Sequence, residues 1–551
     1  MPDPLGGGCH DPLRCCRPAL AKVGFVAVQQ PGRGEAMVEK QGTKVEKQGL
    51  KAAIEPFDMS GIARRADGVL AYSGLASSVV EMLSVSVERY GDREAVVEDG
   101  GERLTYKQLW DRSRLVAGGL IQEGVKPKDR VAIRLGNGVD WCVALFASMM
   151  AGAIAVPVNT RLSEPEVAYV LDDSQARYVF EPGRAMPQGP PTLREDLQPG
   201  DPAAIFYTSG TTGFPKGAVT THENFLSNVE TCRRLMDLPE AELRNLVSVP
   251  LFHVTGCNSQ LLPTLRLGGT TVVMASFDVQ RFLAVSVEER INLVTSVPAI
   301  LWLAMTQPNF ADFDLSGIRW VTYGGAPTPP EQVARMLEAF PNAKLGNGFG
   351  LTETSSVATF LPHDWAHSRA ETVGFAAPPV ELDLADVDPA TGAGELLVRG
   401  PNVVAGYWGK PEATAEAFVG GWLHTGDIAR LDSDGFCQIV DRKKDMVNRG
   451  GENVYCVEVE NALVCHPDVF EVAVVGVPDT MMGEKVGAVV VPRPGRSIDP
   501  AELVSFARTR LADFKVPQYV VVRPDPLPRN PGGKVLKASV RDQADWGRPL
   551  R

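Results

Sequence analysis

The chain has 551 residues, 44% hydrophobic and 22% charged, the balance of a soluble globular protein long enough for several domains. Its formal net charge of −12 argues against a broad phosphate-backbone footprint, and so against nucleic acid as the main partner. Nine cysteines, Cys9, Cys15 and Cys16 near the start among them, make neither a disulfide framework nor a zinc-type C-x-x-C pair, so a reducing cytoplasm is the expected location.

Residues 1–74 mix Gly, Pro, Cys and Arg and repeat VEKQG at 38–42 and 45–49, with little apolar periodicity. They are expected to be a disordered or loosely docked extension, and without a continuous apolar run they do not read as a signal peptide. Helical spacing follows at 76–90, paired strands at 95–97 and 104–106, a helix at 106–123 and a strand at 131–135. The stretch 141–158 carries no charge and approaches the length of a membrane span, but Gly152 and Pro157 interrupt it. It reads better as the buried helix and strand of a βαβ unit. The connection between Phe180 and Pro202 is Pro-rich and short, as if a peripheral element were lost or remodelled. Strands at 272–274, 293–296 and 320–323 continue the alternation expected of an α/β body with parallel sheets.

After about residue 441 the texture changes. A short helix at 457–465 turns Val459, Ala462 and Leu463 inward, and apolar strands follow at 472–475 and 486–491. Pro500 opens a helix capped by Asp499, with Leu503, Phe506, Ala507 and Leu511 on one face. This makes a compact α+β unit over 446–551. The charged run DRKKD at 441–445 is its expected linker, because no apolar face crosses it.

Residues 207–217, YTSGTTGFPKG, concentrate glycines that let the backbone approach a polyphosphate, with hydroxyls and Lys216 as directed donors. The spacing is not that of a Walker A loop. By composition alone a Ser/Thr/Gly surface turn accounts for it as well.

This segment resembles the phosphate-loop signature of the acyl-adenylate-forming superfamily, which includes acyl-CoA synthetases, coumarate ligases, luciferases and peptide-synthetase adenylation domains. Further stretches resemble the same family in the same order: YGGAP at 323–327, GFGLTET at 348–354, GWLHTGD at 421–427, DRKKD at 441–445, GGEN at 450–453 and PRNPGGK at 528–534. The resemblance covers about residues 75–540 and is nearest to bacterial fatty-acid–CoA ligases. It implies an α/β fold: a large N-terminal adenylation domain over 75–440, with parallel-rich sheets covered by helices and a small barrel-like part. A hinge at 441–445 and a small mobile C-terminal α+β domain follow.

Residue by residue, the resemblance places Thr208, Ser209, Gly210, Thr211, Thr212, Gly213 and Lys216 on the phosphates. Gly324, Gly325 and Ala326 lie beside adenine, and Phe349 stacks on it, with Gly348, Gly350 and Leu351 in the same wall. Thr352 meets the α-phosphate region and Glu353 holds Mg²⁺, a hard cation suited to carboxylate oxygen. Asp427 accepts the ribose hydroxyls and Arg442 adds a second ribose and phosphate contact. Lys534 enters for adenylation, where its charge offsets the repulsion between carboxylate and α-phosphate. Lys444 is the hinge residue, and Gly450, Gly451 and Glu452 line the thiol tunnel. The bland alternatives are a core aromatic for Phe349, a helix N-terminal charge for Glu353, a turn for Asp427 and a solvated charge for Arg442. Together the resemblance makes Lys534, Thr208, Glu353 and His253 the catalytic set.

For the acid pocket the resemblance points to Phe252, His253, Gly324, Gly350 and Val357. Gly350 stands where a bulky aromatic closes the pocket of acetate-specific relatives, so a glycine is expected to leave room for a larger acid. Fatty acids of medium to long chain lead, with an aromatic or steroid-derived acid as the alternative. The expected co-substrates are ATP with Mg²⁺ and coenzyme A. A carrier-protein thiol as acceptor is the second reading, and a fatty-acid-binding uptake protein the third. A monomer or homodimer is expected, without a transmembrane segment and with peripheral membrane contact left open.

Overall fold

The computed structural model describes residues 54–208, 215–326, 328–529 and 535–551. The repeat at 38–49, together with Ser209, Gly210, Thr211, Thr212, Gly213 and Lys534, lies outside the described residues.

The first sheet of the large domain runs in the order Ala176–Phe180, Arg130–Ile133, Ile154–Pro157, β1 (Pro202–Thr208) and β2 (Lys216–Thr221). Four strands are parallel, and β1 and β2 form an antiparallel hairpin. Two helices flank the build-up of this sheet, α1 (Tyr106–Gln122) and α2 (Val139–Met150). Every residue of α2 but Asp140 is buried, which is why its sequence is apolar on all faces. No helix among the described residues is long and apolar enough to cross a membrane.

The connection over 181–201 holds no helix or strand and lies along α1 instead. The Gly189 and Thr192 N–H groups donate to Leu115 and Arg114 carbonyls, each at 3.0 Å. The approach is close enough that a Cβ on Gly118 would sit 1.9 Å from the Pro190 carbonyl oxygen. The segment forms a strap over α1, and Gly118 is required where backbone meets backbone.

A nine-stranded sheet completes the layered body. At its centre β3 (Trp320–Gly324) and β4 (Lys344–Phe349) lie side by side in parallel, with antiparallel strands only towards the two edges. The expected pairing of 95–97 with 104–106 is one of those edges, with Val96 opposite Leu104. A third sheet is antiparallel throughout and supplies the barrel-like part: Glu381–Ala385, Gly394–Arg399, Phe418–Val419, β5 (Trp422–Leu431) and β6 (Cys437–Arg442). Leu382, Leu396, Val398 and Ala429 from this sheet share one core with Leu293 and Phe360 of the nine-stranded sheet.

The C-terminal domain has its own sheet, with β7 (Val447–Arg449), β8 (Glu452–Val454), β9 (Val469–Asp479) and β10 (Gly483–Pro492), and Tyr519–Val522 beside β10. The helices α3 (Cys456–Val464) and α4 (Lys537–Gln543) belong to the same part of the chain. The expected strands at 472–475 and 486–491 are the apolar middles of a longer β9–β10 ribbon. Asp499 caps Pro500–Arg508 by accepting the Ala501 N–H at 2.8 Å, as its position before Pro500 implies. One expectation about the linker fails: an apolar face does cross it. Met446 and Tyr455 pack with Ala393, Ile428 and Val440 of the barrel, and Asp441 and Arg442 are residues of β6 rather than free tether. Residues 441–445 are charged throughout, and the apolar side chains that bridge the two parts are Val440 just before the run and Met446 just after it.

Candidate active site

The β1–β2 hairpin brings Thr208 directly opposite Lys216, and the Thr208 hydroxyl donates to the Lys216 carbonyl at 3.4 Å. Residues 209–214, which join these posts in the sequence, lie outside the described residues. Both posts are fastened from behind. Tyr207 OH donates to Asp173 Oδ2 at 2.8 Å, and Lys410 Nζ donates to Asp173 Oδ1 at 2.5 Å. Burial, followed by the Asp173 carboxylate, pushes the Tyr207 phenol well above its ordinary value, so it stays a donor. Tyr169 OH donates to the Pro215 carbonyl at 3.2 Å on the other side.

The segment 404–410 then stitches this hairpin to Glu353. Val219 N–H donates to Gly406 O at 3.0 Å, and Trp408 N–H to Gly217 O at 2.7 Å, so 406–408 run beside β2. The Val404 N–H donates to the Glu353 carbonyl at 2.9 Å. This register sets Tyr407 between two site residues. Its hydroxyl donates to Glu353 Oε1 at 2.8 Å, and its ring lies 5.3 Å from Lys216 Nζ. Burial first, then the neighbouring Glu353 charge, raises the Tyr407 phenol far above its usual range. The sequence reading missed Tyr407, and Gly406 is the signal beside it: at φ 150° it packs so closely that a Cβ would meet Thr414 Cγ2 at 2.4 Å.

Glu353 sits in the single 3-10 turn Thr352–Thr354 that follows β4. The Thr354 hydroxyl ties this turn down by accepting the Leu351 N–H at 2.8 Å. Upstream, the ends of β3 and β4 nearly touch: a Cβ on Gly324 would lie 2.0 Å from the Gly348 carbonyl oxygen. Gly325 follows with φ 77°, and Gly325 and Ala326 are exposed at the sheet's carboxyl end. Phe349 packs against the core shared with the barrel, alongside Leu351 and Val357. Its core reading is therefore correct as far as the packing goes.

Gly350 requires a correction. A Cβ there would come 1.4 Å from the Ser356 carbonyl oxygen, so the glycine accommodates returning backbone, and its missing side chain is not by itself a sign of room for a larger acid. The return is abrupt because Ser355 and Ser356 both have positive φ, 52° and 117°. Two hydrogen bonds hold them against the segment after His253. Asn258 Nδ2 donates to Ser355 O at 3.0 Å, and the Ser259 hydroxyl donates to the Ser356 hydroxyl at 2.7 Å. Val357 N–H donates to Asn228 Oδ1 at 3.1 Å. The His253 ring lies 4.7 Å from the buried Phe252 ring, and His253 precedes a short helix that passes into a π-helical turn over Cys257–Leu261. Such turns are rare and frequent at functional sites. Thus the segment that follows Phe252 and His253 is tied to the turn between Gly350 and Val357.

On the barrel, Asp427 of β5 faces Arg442 of β6 in register, and Arg442 Nε lies 2.8 Å from the buried Asp427 Oδ1. Glu395, also missed in the sequence, braces the same turn. It accepts the Gly426 N–H at 3.1 Å and is contacted by Lys443 Nζ at 3.1 Å and His424 Nδ1 at 3.2 Å. Burial would raise its pKa, but the His424 and Lys443 contacts outweigh it and hold the carboxyl below its ordinary value. Lys444 is held below the usual lysine value by desolvation, with Arg442 and Lys537 adding like charge against the pull of Asp445 and Asp427. Gly450 and Gly451 form the two-residue turn of the β7–β8 hairpin, with φ 63° and 93°. The Gly450 N–H donates to Met482 O at 2.7 Å and the Gly451 N–H to Asn448 Oδ1 at 3.0 Å, so this loop and Glu452 are held within the C-terminal sheet.

Family models match this framework over residues 83–190 and 181–408, described as AMP-binding enzyme, and over 458–534, its C-terminal domain. The chain belongs to the AMP-binding enzyme family. This AMP-binding enzyme is 40% identical over 480 residues to a feruloyl-CoA synthase of Amycolatopsis sp, covering 82% of this chain and 96% of that one. It is 34% identical over 484 residues to the long-chain-fatty-acid–CoA ligase FadD13 of Mycobacterium tuberculosis (strain ATCC 25618 / H37Rv), covering 82% and 95%. Among solved structures it resembles the O-succinylbenzoate coenzyme A synthetase (MenE) of Bacillus subtilis in complex with ATP and magnesium ion, with TM-score 0.76, 28% identity and coverage of 84% and 99%. The AMP-binding enzyme is an acyl-CoA ligase, and ligases of this type use ATP, Mg²⁺ and CoA with a small carboxylic acid. The donor set suits that use of magnesium. Among the described residues no three His, Cys, Asp or Glu side chains gather as a metal cage, and the Glu353 carboxylate is of the hard-oxygen kind that suits magnesium.

Proposed function

We propose that this ligase joins ATP to an aromatic carboxylic acid of the arylpropenoate kind and then transfers the acyl group to CoA. The observation that carries the nucleotide chemistry is Tyr407, which holds the Lys216 post and the Glu353 carboxylate to one ring. In the first half-reaction a carboxylate oxygen of the acid attacks the α-phosphorus, the bond to the β-phosphate oxygen breaks, and magnesium pyrophosphate leaves. The loop between Thr208 and Lys216 grips the leaving group, Glu353 anchors its cation, and Gly324 to Ala326 with Phe349 flank adenine. Asp427 and Arg442 take the ribose. Lys534 offsets the charge between the two anionic reactants. In the second half-reaction the C-terminal domain turns at Lys444 and presents Gly450, Gly451 and Glu452, and the CoA sulfur attacks the acyl carbonyl with AMP leaving.

Support for an aromatic acid comes from the identity to feruloyl-CoA synthase and from the Ser259–Ser356 hydroxyl pair beside Val357, which suits oxygen substituents on a ring. With Gly350 occupied by backbone contact, the reading of a deep alkyl channel loses its main support. The identity to FadD13 keeps a fatty acid as the second reading. The unpaired cysteines among the described residues, five of them buried, support a reducing cytoplasm.

Pyrophosphate release with ferulate, indoleacetate and palmitate, each with and without CoA, tests the proposal. Ferulate-dependent release with a CoA thioester product is expected. Preference for palmitate would establish the second reading, release without thioester would point to a carrier-protein thiol, and no release with any acid would refute the enzyme reading.

A further inference from the structure

The half-reactions set out above leave unused a buried charged cluster behind the C-terminal lysine segment. Lys537, the first residue of α4, places Nζ 2.8 Å from Glu460 Oε1 on α3, and both side chains are only 19% exposed. Glu460 Oε1 also accepts the Val474 N–H of β9 at 2.8 Å. Asp441, on β6 of the barrel, is 2% exposed and accepts the Cys456 N–H at the start of α3 and its neighbour Arg442 N–H. Lys537 feels the field of both carboxylates. One ammonium thus serves two buried acids on elements from either side of the linker.

The chain on either side of 530–534 is clamped. Arg529 and Val535 form an isolated antiparallel bridge, and the Leu536 N–H donates to Pro528 O at 2.8 Å. The first arm is held to β9, because Arg529 pairs with Glu471 and the Leu527 N–H donates to Glu471 Oε2 at 3.2 Å. The second arm leads within two residues of Val535 to Lys537. A buried ion pair is a poor source of stability but a strong geometric constraint, since losing one partner strands a desolvated charge.

We propose that Lys537 is a positioning residue for adenylation: its ion pair with Glu460 ties the second arm to α3, fixing the register in which Lys534 is delivered. The proposal rests on the role assigned to Lys534 above. It separates Lys537 from the catalytic group, since the Lys537 ammonium is already engaged by Glu460.

The test uses full-length Lys537→Met, Lys537→Arg and the double variant Lys537→Met/Glu460→Gln, which strands one charge fewer should the single variant fail to fold. ATP–pyrophosphate exchange and thioester formation from supplied acyl-AMP are measured separately. Lys537→Met is expected to lower exchange kcat on the order of 10²-fold, the cost of an error of about 1 Å at a reacting group. KM for ATP and thioester formation should hold within about twofold, and Lys537→Arg should recover most of the exchange. Wild-type exchange in Lys537→Met, or an equal loss of both half-reactions there and in the double variant, overturns the proposal. Absence of acid-dependent exchange in the unaltered enzyme instead overturns the functional reading.

Discussion

The Tyr407 hydroxyl donates a 2.8 Å hydrogen bond to Glu353 Oε1 from a ring that also faces Lys216 Nζ at 5.3 Å. One phenol therefore fixes both the Glu353 carboxylate and the Lys216 ammonium. The two contacts are separable by mutation.

Tyr407→Phe keeps the ring under Lys216 and removes only the bond to Glu353. A hydrogen bond to a charged group contributes about 1.5–3 kcal/mol, so kcat/KM for Mg·ATP should fall on the order of tenfold or more. An ATP titration of pyrophosphate release checks this, and the KM for the acid should stay unchanged.

Asp427→Asn removes the charge opposite Arg442 while preserving shape. Losing a partner from a largely buried charge pair weakens whatever both groups hold, and kcat/KM for ATP should drop by about 10²-fold with CoA kinetics from supplied acyl-AMP little altered. Equal damage to both half-reactions would show that the pair serves the barrel rather than the nucleotide.

Gly350→Ala and Gly348→Ala should part company in thermal unfolding. A Cβ on Gly350 meets Ser356 O at 1.4 Å, whereas one on Gly348 has Phe360 Cδ2 no nearer than 3.8 Å. Overpacking of the first kind costs about 1–3 kcal/mol or more, so Gly350→Ala should melt well below the parent and Gly348→Ala close to it. A well-folded Gly350→Ala with only a shortened acid range would restore the open-pocket reading.

Asp441 is raised to about 6, by burial above all, with Lys537 and two backbone N–H bonds opposing. Its folded pKa lies above the unfolded value, so its contribution is most favourable below about pH 4 and is lost as pH rises through 6. Asp441→Asn keeps an acceptor for the Cys456 N–H and removes the titration. The melting temperature of the variant relative to the parent should therefore rise between pH 4 and pH 7, and a difference independent of pH would contradict this account.

Much of the layered body was legible because single residues decide it. Asp140 alone breaks the apolar surface of α2, and Gly152 and Pro157 end that stretch, which marks a buried crossover rather than a span. Asp499 before Pro500 announces its helix. The barrel was not legible from periodicity: its strands Glu381–Ala385 and Gly394–Arg399 are short and join through irregular turns. Tyr407 and Glu395 were missed for a related reason, since each acts through register with a strand distant in sequence, and local spacing carries no trace of that. Gly350 was misjudged because a glycine spells out the absence of a side chain without saying what occupies the space.

The segment 404–410 touches three parts of the large domain: the β1–β2 hairpin at Gly217, the turn after β4 at Glu353, and Asp173 through Lys410. On the proposed reading, nucleotide seats against it and acts as a keystone among them. Its binding free energy is then shared by the whole large domain, so saturating ATP should raise the protection of distant amides in all three parts together rather than quieting one loop.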